Sequence, residues 1–249
     1  MQCLTAFDLT FPRTHADTDQ DAESCEVTVD GSRRTIRFHD YDVIYQVPGL
    51  YEHLFYDVLD CKSPEVVVGL LAEQLAAGDH DLAELVVLDL GAGNGMVGER
   101  LAAIGCGTVV GCDILEEAAE ATERDRPDSY DDYVVCDLTA PRPEAAQALG
   151  RHRFGVMTTV AALGFGDVPP EAFSYAFDLL VDDGWLAFCI KEDFLDDDEP
   201  SGFSSLVQQL IADGALEVFA ERKYRHRLSA HGEPLHYVAM IAVKRSASA

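Results

Sequence analysis

The 249-residue chain holds 45 acidic and 18 basic side chains, a net charge of −27, and 48% of its residues are hydrophobic. So acidic a surface repels phosphate backbones and disfavours DNA and RNA as partners, while the apolar fraction suffices for the core of one large α/β domain with extensions. No apolar run reaches membrane-spanning length, and the first residues lack the basic-then-apolar plan of a signal peptide, so a cytoplasmic protein with no membrane partner is expected.

The seven cysteines (Cys3, Cys25, Cys61, Cys106, Cys112, Cys136 and Cys189) form no C-x-x-C pair and are odd in number, which fits reduced, buried thiols. Lysine is sparse (Lys62, Lys191, Lys223, Lys244) against abundant Asp and Glu. That balance fits a salt-loving or high-GC source. Melting in dilute buffer tests the first of these, and a chain fully folded there counts against obligate halophily.

Residues 3–11 alternate apolar with polar, and the polar, acidic stretch 12–24 reads as unstructured. Residues 25–38 predict a β-hairpin, with 26–29 and 34–38 flanking the turn pair Asp30-Gly31. An aromatic segment follows at 39–56, carrying Tyr41, Tyr45, Tyr51, His53, Phe55 and Tyr56. Pro48 interrupts it, so two helical pieces are expected, the second starting near Gly49. The aromatics serve either as the core of an amphipathic helix or as a cover for a cleft. Ser63-Pro64 opens a helix, with Ser63 as N-cap, that runs to about Ala77 and stops at Gly78.

The chain is organised around VVLDLGAGNG at 86–95. An apolar run closed by glycines reads as a buried central strand, and Gly91, Gly93 and Gly95 allow a sharp turn with no side chain in a ligand's way. A helix follows at 96–104. Strand, glycine loop and helix together aim backbone N–H groups and a positive helix end at a nucleotide-like ligand. Gly93 to Gly98 also satisfies the G-x-G-x-x-G pattern of dinucleotide binders, a weak signal alone. A second strand, 108–112, ends in Asp113, and a third, 132–136, ends in Asp137-Leu138. Further on come a helix at 144–149, a strand at 154–160, a helix at 171–181 after Pro169-Pro170, and a turn at Asp183-Gly184. A strand at 185–190 and a helix at 204–212 precede a long terminal hairpin of 216–228 and 236–245.

With an acidic residue inside the central strand and two more at the next strand ends, the chain resembles the class I S-adenosylmethionine-dependent methyltransferases. VVLDLGAGNG is similar to their first motif, VVGCDI (109–114) to their second and VVCDLT (134–139) to their third, over roughly residues 82–245. The resemblance implies a doubly wound seven-stranded sheet, mostly parallel with an antiparallel C-terminal strand. An N-terminal hairpin and helical lid would form an extension at 1–62, with the cofactor-binding domain at 63–249.

The cofactor implied is S-adenosylmethionine. Asp113 would accept from the ribose hydroxyls and Asp137 from the adenine amine, with the Leu138 N–H donating to a ring nitrogen and Ile114 and Leu138 flanking the ring. Gly91 and Gly93 would bring carbonyls near the methionine ammonium, with Asp89 orienting that region. Ala92, Asn94, Gly95 and Thr159 complete the set, and Tyr51 and Tyr56 are the lid's contacts to the methionine end.

After the strand at 154–160 the family diversifies, and here the chain reads TTVAALG (158–164). It has no Asn/Asp-Pro-Pro-aromatic motif, no paired-glutamate loop and no acidic metal ligand, so no metal is expected. What remains resembles small-molecule methyltransferases. Methyl transfer needs chiefly proximity and alignment, with a base only where the nucleophile must lose a proton. The base candidates are His39, His53 and Lys191, with Glu192 and Asp193 beside the last.

The basic run Arg222 to Arg227 is expected to pair with the acidic surface; the sharper reading is capture of a substrate anion. The partners expected are a small-molecule substrate and neither nucleic acid nor membrane, with a homodimer left open. Alternatives are a protein methyltransferase suited to basic substrates, a cofactor-binding protein without catalysis, and an NAD-dependent oxidoreductase.

Overall fold

A computed structural model describes residues 7–12, 20–29, 31–192 and 202–246. Cys3, Asp30 and Asp193 lie outside the described residues. The chain forms two compact units, one of Met1–Lys62 with Arg225–His236, the other of Ser63–Tyr224 with Tyr237–Ala249. Among the described residues no helix is long and apolar enough to cross a membrane.

In the first unit, β1 (Leu9–Thr10), β2 (Ser24–Val29) and β3 (Ser32–Arg37) make a small antiparallel sheet. Period-two alternation turns Cys25 and Val27 of β2 and Ile36 of β3 inward. They pack on Phe38 and on the helical segment that follows. That segment breaks at Pro48 as expected. Helix α1 (Tyr41–Tyr45) ends before it. Gly49, at φ +80°, starts α2 (Leu50–Glu52), which passes into a π-helix at His53–Val58. Tyr45, Tyr51 and Phe55 stack in tilted pairs, with centroids 5.2 and 4.8 Å apart. Phe55 belongs to the core of this unit, and Tyr41, Tyr51 and Tyr56 pack half-buried against it.

The second unit is a seven-stranded sheet in the order β6-β5-β4-β7-β8-β10-β9. The strands are β4 (Val86–Leu90), β5 (Thr108–Asp113), β6 (Asp132–Val135), β7 (Phe154–Thr159), β8 (Leu180–Lys191), β9 (Leu216–Leu228) and β10 (Pro234–Lys244). The pairs from β6 through β8 are parallel, and β10 runs antiparallel to β8. Helices α3 (Ser63–Ala77) and α4 (Met96–Ala103) cover one face through Val67, Leu71, Val97 and Leu101. Helices α6 (Pro143–Gly150), α7 (Pro170–Leu179) and α8 (Phe203–Ala212) cover the other through Leu149, Phe173 and Phe203. Helix α5 (Glu116–Asp125) links β5 to β6. Strands buried on both faces explain the continuous apolar runs. This is a doubly wound, Rossmann-like α/β fold closed by an antiparallel strand.

Two local expectations are corrected. Ser63 is the first helical residue of α3 rather than the residue before it, and its Oγ lies 2.6 Å from the Tyr224 hydroxyl. Helix α7 stops at Leu179, and Asp183-Gly184 is a bulge inside β8 rather than a turn leading into it. Phe154 pairs with Leu180 but Val156 with Trp185, so residues 181–184 bow out of the ladder. A Cβ on Gly184 would lie 2.7 Å from Leu180 Cγ, which is why glycine stands there.

Candidate cofactor site at the strand ends

The glycine loop turns through left-handed backbone at Gly91 (+70°), Gly93 (+53°) and Gly95 (+88°). Four of its N–H groups are taken by the protein itself, which differs from the sequence expectation. Those of Gly91 and Ala92 both donate to the Cys112 carbonyl (2.9 and 3.1 Å), and that of Gly95 to the Ala92 carbonyl. The Gly93 N–H donates to Asp113 Oδ2 at 2.9 Å. A loop so satisfied, with a carboxylate in it, is no cradle for a pyrophosphate.

Each of the three strands beside the loop delivers a carboxylate. Asp113, half-buried at the end of β5, also accepts from the Leu115 N–H at 3.0 Å; burial raises its carboxyl above the usual range despite these donors, and Asp167 adds to the rise. Asp137, after β6, is exposed and held below the usual range by the Thr139 hydroxyl (2.7 Å) and N–H (2.8 Å) on the same oxygen. Asp89 is 1% exposed. Its two oxygens accept from Thr158 Oγ1 and from the Tyr130 hydroxyl, both at 2.6 Å. Burial pushes its carboxyl up to about 7, against the pull of those two donors, with the charge of Asp113 adding to the rise.

Asp89 thus binds its proton more tightly folded than unfolded. Its contribution to stability is full below pH 3.8 and is lost as the pH rises toward about 7. The melting temperature of wild type relative to Asp89→Asn should therefore fall across that window and level off above it. A difference that does not vary with pH would contradict this.

Ile114, next to Asp113, is 59% exposed, an apolar face open to a flat ring. Leu138 is 4% exposed and packs in the core. Gly93's carbonyl is also unlike the expectation: the Tyr133 hydroxyl (2.7 Å) and Thr122 Oγ1 (2.9 Å) both donate to it, filling its two lone pairs. Asn94 is buried and its carbonyl accepts from Arg126 Nη1 at 3.1 Å. At the end of β7, Thr159 Oγ1 is fully buried without a protein hydrogen-bond partner. The loop after β7 folds back over the glycine loop: a Cβ on Gly91 would lie 2.8 Å from that of Ala162.

The base candidates fall in different units. His39 and His53 belong to the first unit, where the His53 ring lies 3.3 Å from Asp57 and beside Phe7. Lys191 ends β8 in the second unit. Tyr51 and Tyr56 sit in the aromatic cluster of the first unit. The basic run is paired locally: Arg222 with Glu73, Lys223 with Glu192, Arg225 with Asp60 and Arg227 with Glu23.

A family model described as a methyltransferase domain matches residues 65–232, more than half of the chain. The chain belongs to this family. The methyltransferase is of class I, and S-adenosylmethionine is the cofactor of that class. Its fold is similar to that of N-methyltransferase NodS from Bradyrhizobium japonicum WM9, solved in complex with S-adenosyl-L-homocysteine (13% identity over 84% of this chain and 98% of that one, TM-score 0.57). It is also similar to an S-adenosylmethionine-dependent methyltransferase from Clostridium acetobutylicum ATCC 824 (12% identity, 79% and 97%, TM-score 0.54). A third is magnesium protoporphyrin IX methyltransferase from Synechocystis PCC 6803 with bound S-adenosylmethionine (17% identity, 72% and 78%, TM-score 0.50). No curated protein matches by sequence.

Four residues of the methyltransferase escaped sequence reasoning: Tyr130, Tyr133, Thr122 and Thr158 all hold the glycine loop or Asp89. The one local signal was glycine inside a helix (Gly98) and inside a strand (Gly111), where glycine weakens the element unless something must pass close by.

Proposed function

We propose that this methyltransferase binds S-adenosylmethionine across the ends of β4, β5 and β6 and methylates a small molecule. The observation that carries the reading is a carboxylate at each of three successive strands around a glycine loop in which the N–H groups of Gly91, Ala92, Gly93 and Gly95 are already bonded within the protein. Such a site favours a cationic nucleoside over a pyrophosphate. The exposed face of Ile114 and the orphaned hydroxyl of Thr159 are what residues awaiting such a ligand present.

When bound, S-adenosylmethionine supplies a methyl group already activated on a sulfonium. The residues bind and align. Asp113 would accept from the ribose hydroxyls, Asp137 from the adenine amine, and the Gly91 carbonyl from the ammonium. The Leu138 N–H would donate to the ring, and Asp89, Ala92, Asn94 and Gly95 shape the loop. Tyr51 and Tyr56 are carried forward as lid contacts on the family resemblance alone. The base candidates are His39, His53 and Lys191, of which Lys191 shares a unit with the carboxylates. The small-molecule reading rests on the loop after β7, where Val160 and Leu163 are buried apolar residues and no nucleobase, arginine or metal motif stands.

The test is S-adenosylhomocysteine release, followed across a panel of small nucleophiles and a panel of basic proteins. Turnover with small molecules is expected, and turnover with proteins alone overturns the substrate class. Thr159→Val should leave the melting temperature unchanged or raised. It should weaken S-adenosylmethionine by about three- to tenfold, the range for one lost hydrogen bond. Unchanged affinity in a calorimetric titration would remove Thr159 from the site.

A further inference from the structure

Gly98 and Gly111 each make room for a ring. A Cβ on Gly98 would lie 2.5 Å from Tyr130 Cε1, and one on Gly111 2.8 Å from Tyr133 Cδ2. The two rings meet edge to face, 5.5 Å apart at 77°. Their hydroxyls reach the glycine loop from the far side of β5. That of Tyr130 donates to Asp89 at 2.6 Å and lies 3.4 Å from the Ala92 carbonyl. That of Tyr133 joins Thr122 in saturating the Gly93 carbonyl. Helix α4 and strand β5 thus make room for two phenols whose polar ends reach Asp89 and the loop.

We propose that Tyr130 and Tyr133 are positioning residues for the amino-acid end of the cofactor: with Asp89 and Gly93 held in place, the loop presents the Gly91 carbonyl, and not that of Gly93, to the ammonium group. Neither ring touches the ligand. The inference rests on the cofactor reading above. Its physical content is that a carbonyl with both lone pairs filled is a poor acceptor for a third donor. Freeing one pair, or letting Asp89 swing, blurs where the ammonium is received.

The test is calorimetric titration of wild type, Tyr130→Phe and Tyr133→Phe with two probes, S-adenosylhomocysteine and 5′-methylthioadenosine. The second keeps the nucleoside and the sulfur but lacks the amino-acid end. Phenylalanine keeps the ring packing, so both variants are expected to fold. Each should weaken S-adenosylhomocysteine by about three- to tenfold, the range for one lost buried hydrogen bond, and leave methylthioadenosine within about twofold. Should a phenylalanine variant fail to fold, Thr122→Val strips the second donor from the same carbonyl and should show the same selective loss. Equal weakening of both probes would reduce the tyrosines to supports of the fold, and unchanged S-adenosylhomocysteine affinity would overturn the proposal outright. A wild type that binds neither probe overturns the cofactor reading as well, a result distinct from either.

Discussion

Asp113→Ala is expected to weaken S-adenosylmethionine at least about 100-fold while the chain stays folded. Two charge-assisted hydrogen bonds to a ribose diol are together worth about 3 kcal/mol or more, which is two decades in affinity. The same carboxylate anchors the N–H groups of Gly93 and Leu115, so its loss also loosens the loop it serves. Asp113→Asn keeps an acceptor oxygen and loses the charge, and should fall between, at about tenfold. Calorimetry on the three proteins checks this, with thermal melting to show that each is folded. An alanine variant that binds as wild type does would remove Asp113 from the site.

Glu23→Ala is expected to cause a large loss of stability. Glu23 and Arg227 are 4% and 3% exposed and pair at 2.6 Å, and Glu23 also accepts from the Ala230 N–H at 2.6 Å. The guanidinium lies over Phe38, 5.3 Å from its centroid. Removing the carboxylate strands a buried cation, an effect of about 3–5 kcal/mol, which lowers the melting temperature of a chain this size by about 10 °C. Removing both charges, as Glu23→Leu with Arg227→Met, should recover most of that, because two buried ions in a well-packed pair add little over apolar residues of similar size. The exposed pair Arg33–Glu26, at 61% and 39%, is the contrast: Glu26→Ala should barely move the midpoint. Equal effects at Glu23 and Glu26 in melting experiments would show that burial is not what matters here.

What the sequence made legible follows from how far apart the interacting residues are. The central strands and the glycine loop announce themselves locally, because a strand buried on both faces is apolar throughout and a sharp turn needs glycine. The seven-stranded, mostly parallel sheet with its antiparallel C-terminal strand came from family resemblance rather than from any local pattern. What holds the loop in place was invisible. Tyr130 reaches Asp89 from 41 positions away and Tyr133 reaches Gly93 from 40, and no periodicity reports where a phenol ends. The same holds for Ser63, read as a cap from its neighbours but engaged with Tyr224, 161 positions on. Asp183-Gly184 was read correctly as a place where the chain must bend; only pairing with Phe154 and Val156 shows that the bend lies inside a strand. The loop N–H groups were expected to face a ligand because that is common after a strand–glycine–helix sequence. Here the Cys112 carbonyl and the Asp113 carboxylate take them first.

The most direct test is calorimetric titration of the wild-type chain with S-adenosylmethionine, S-adenosylhomocysteine and, as the control, NAD. Saturable binding of both sulfur ligands, with no response to NAD, is the expected result. Binding of NAD alone, or of neither sulfur ligand, would contradict the assignment of the strand-end carboxylates to S-adenosylmethionine.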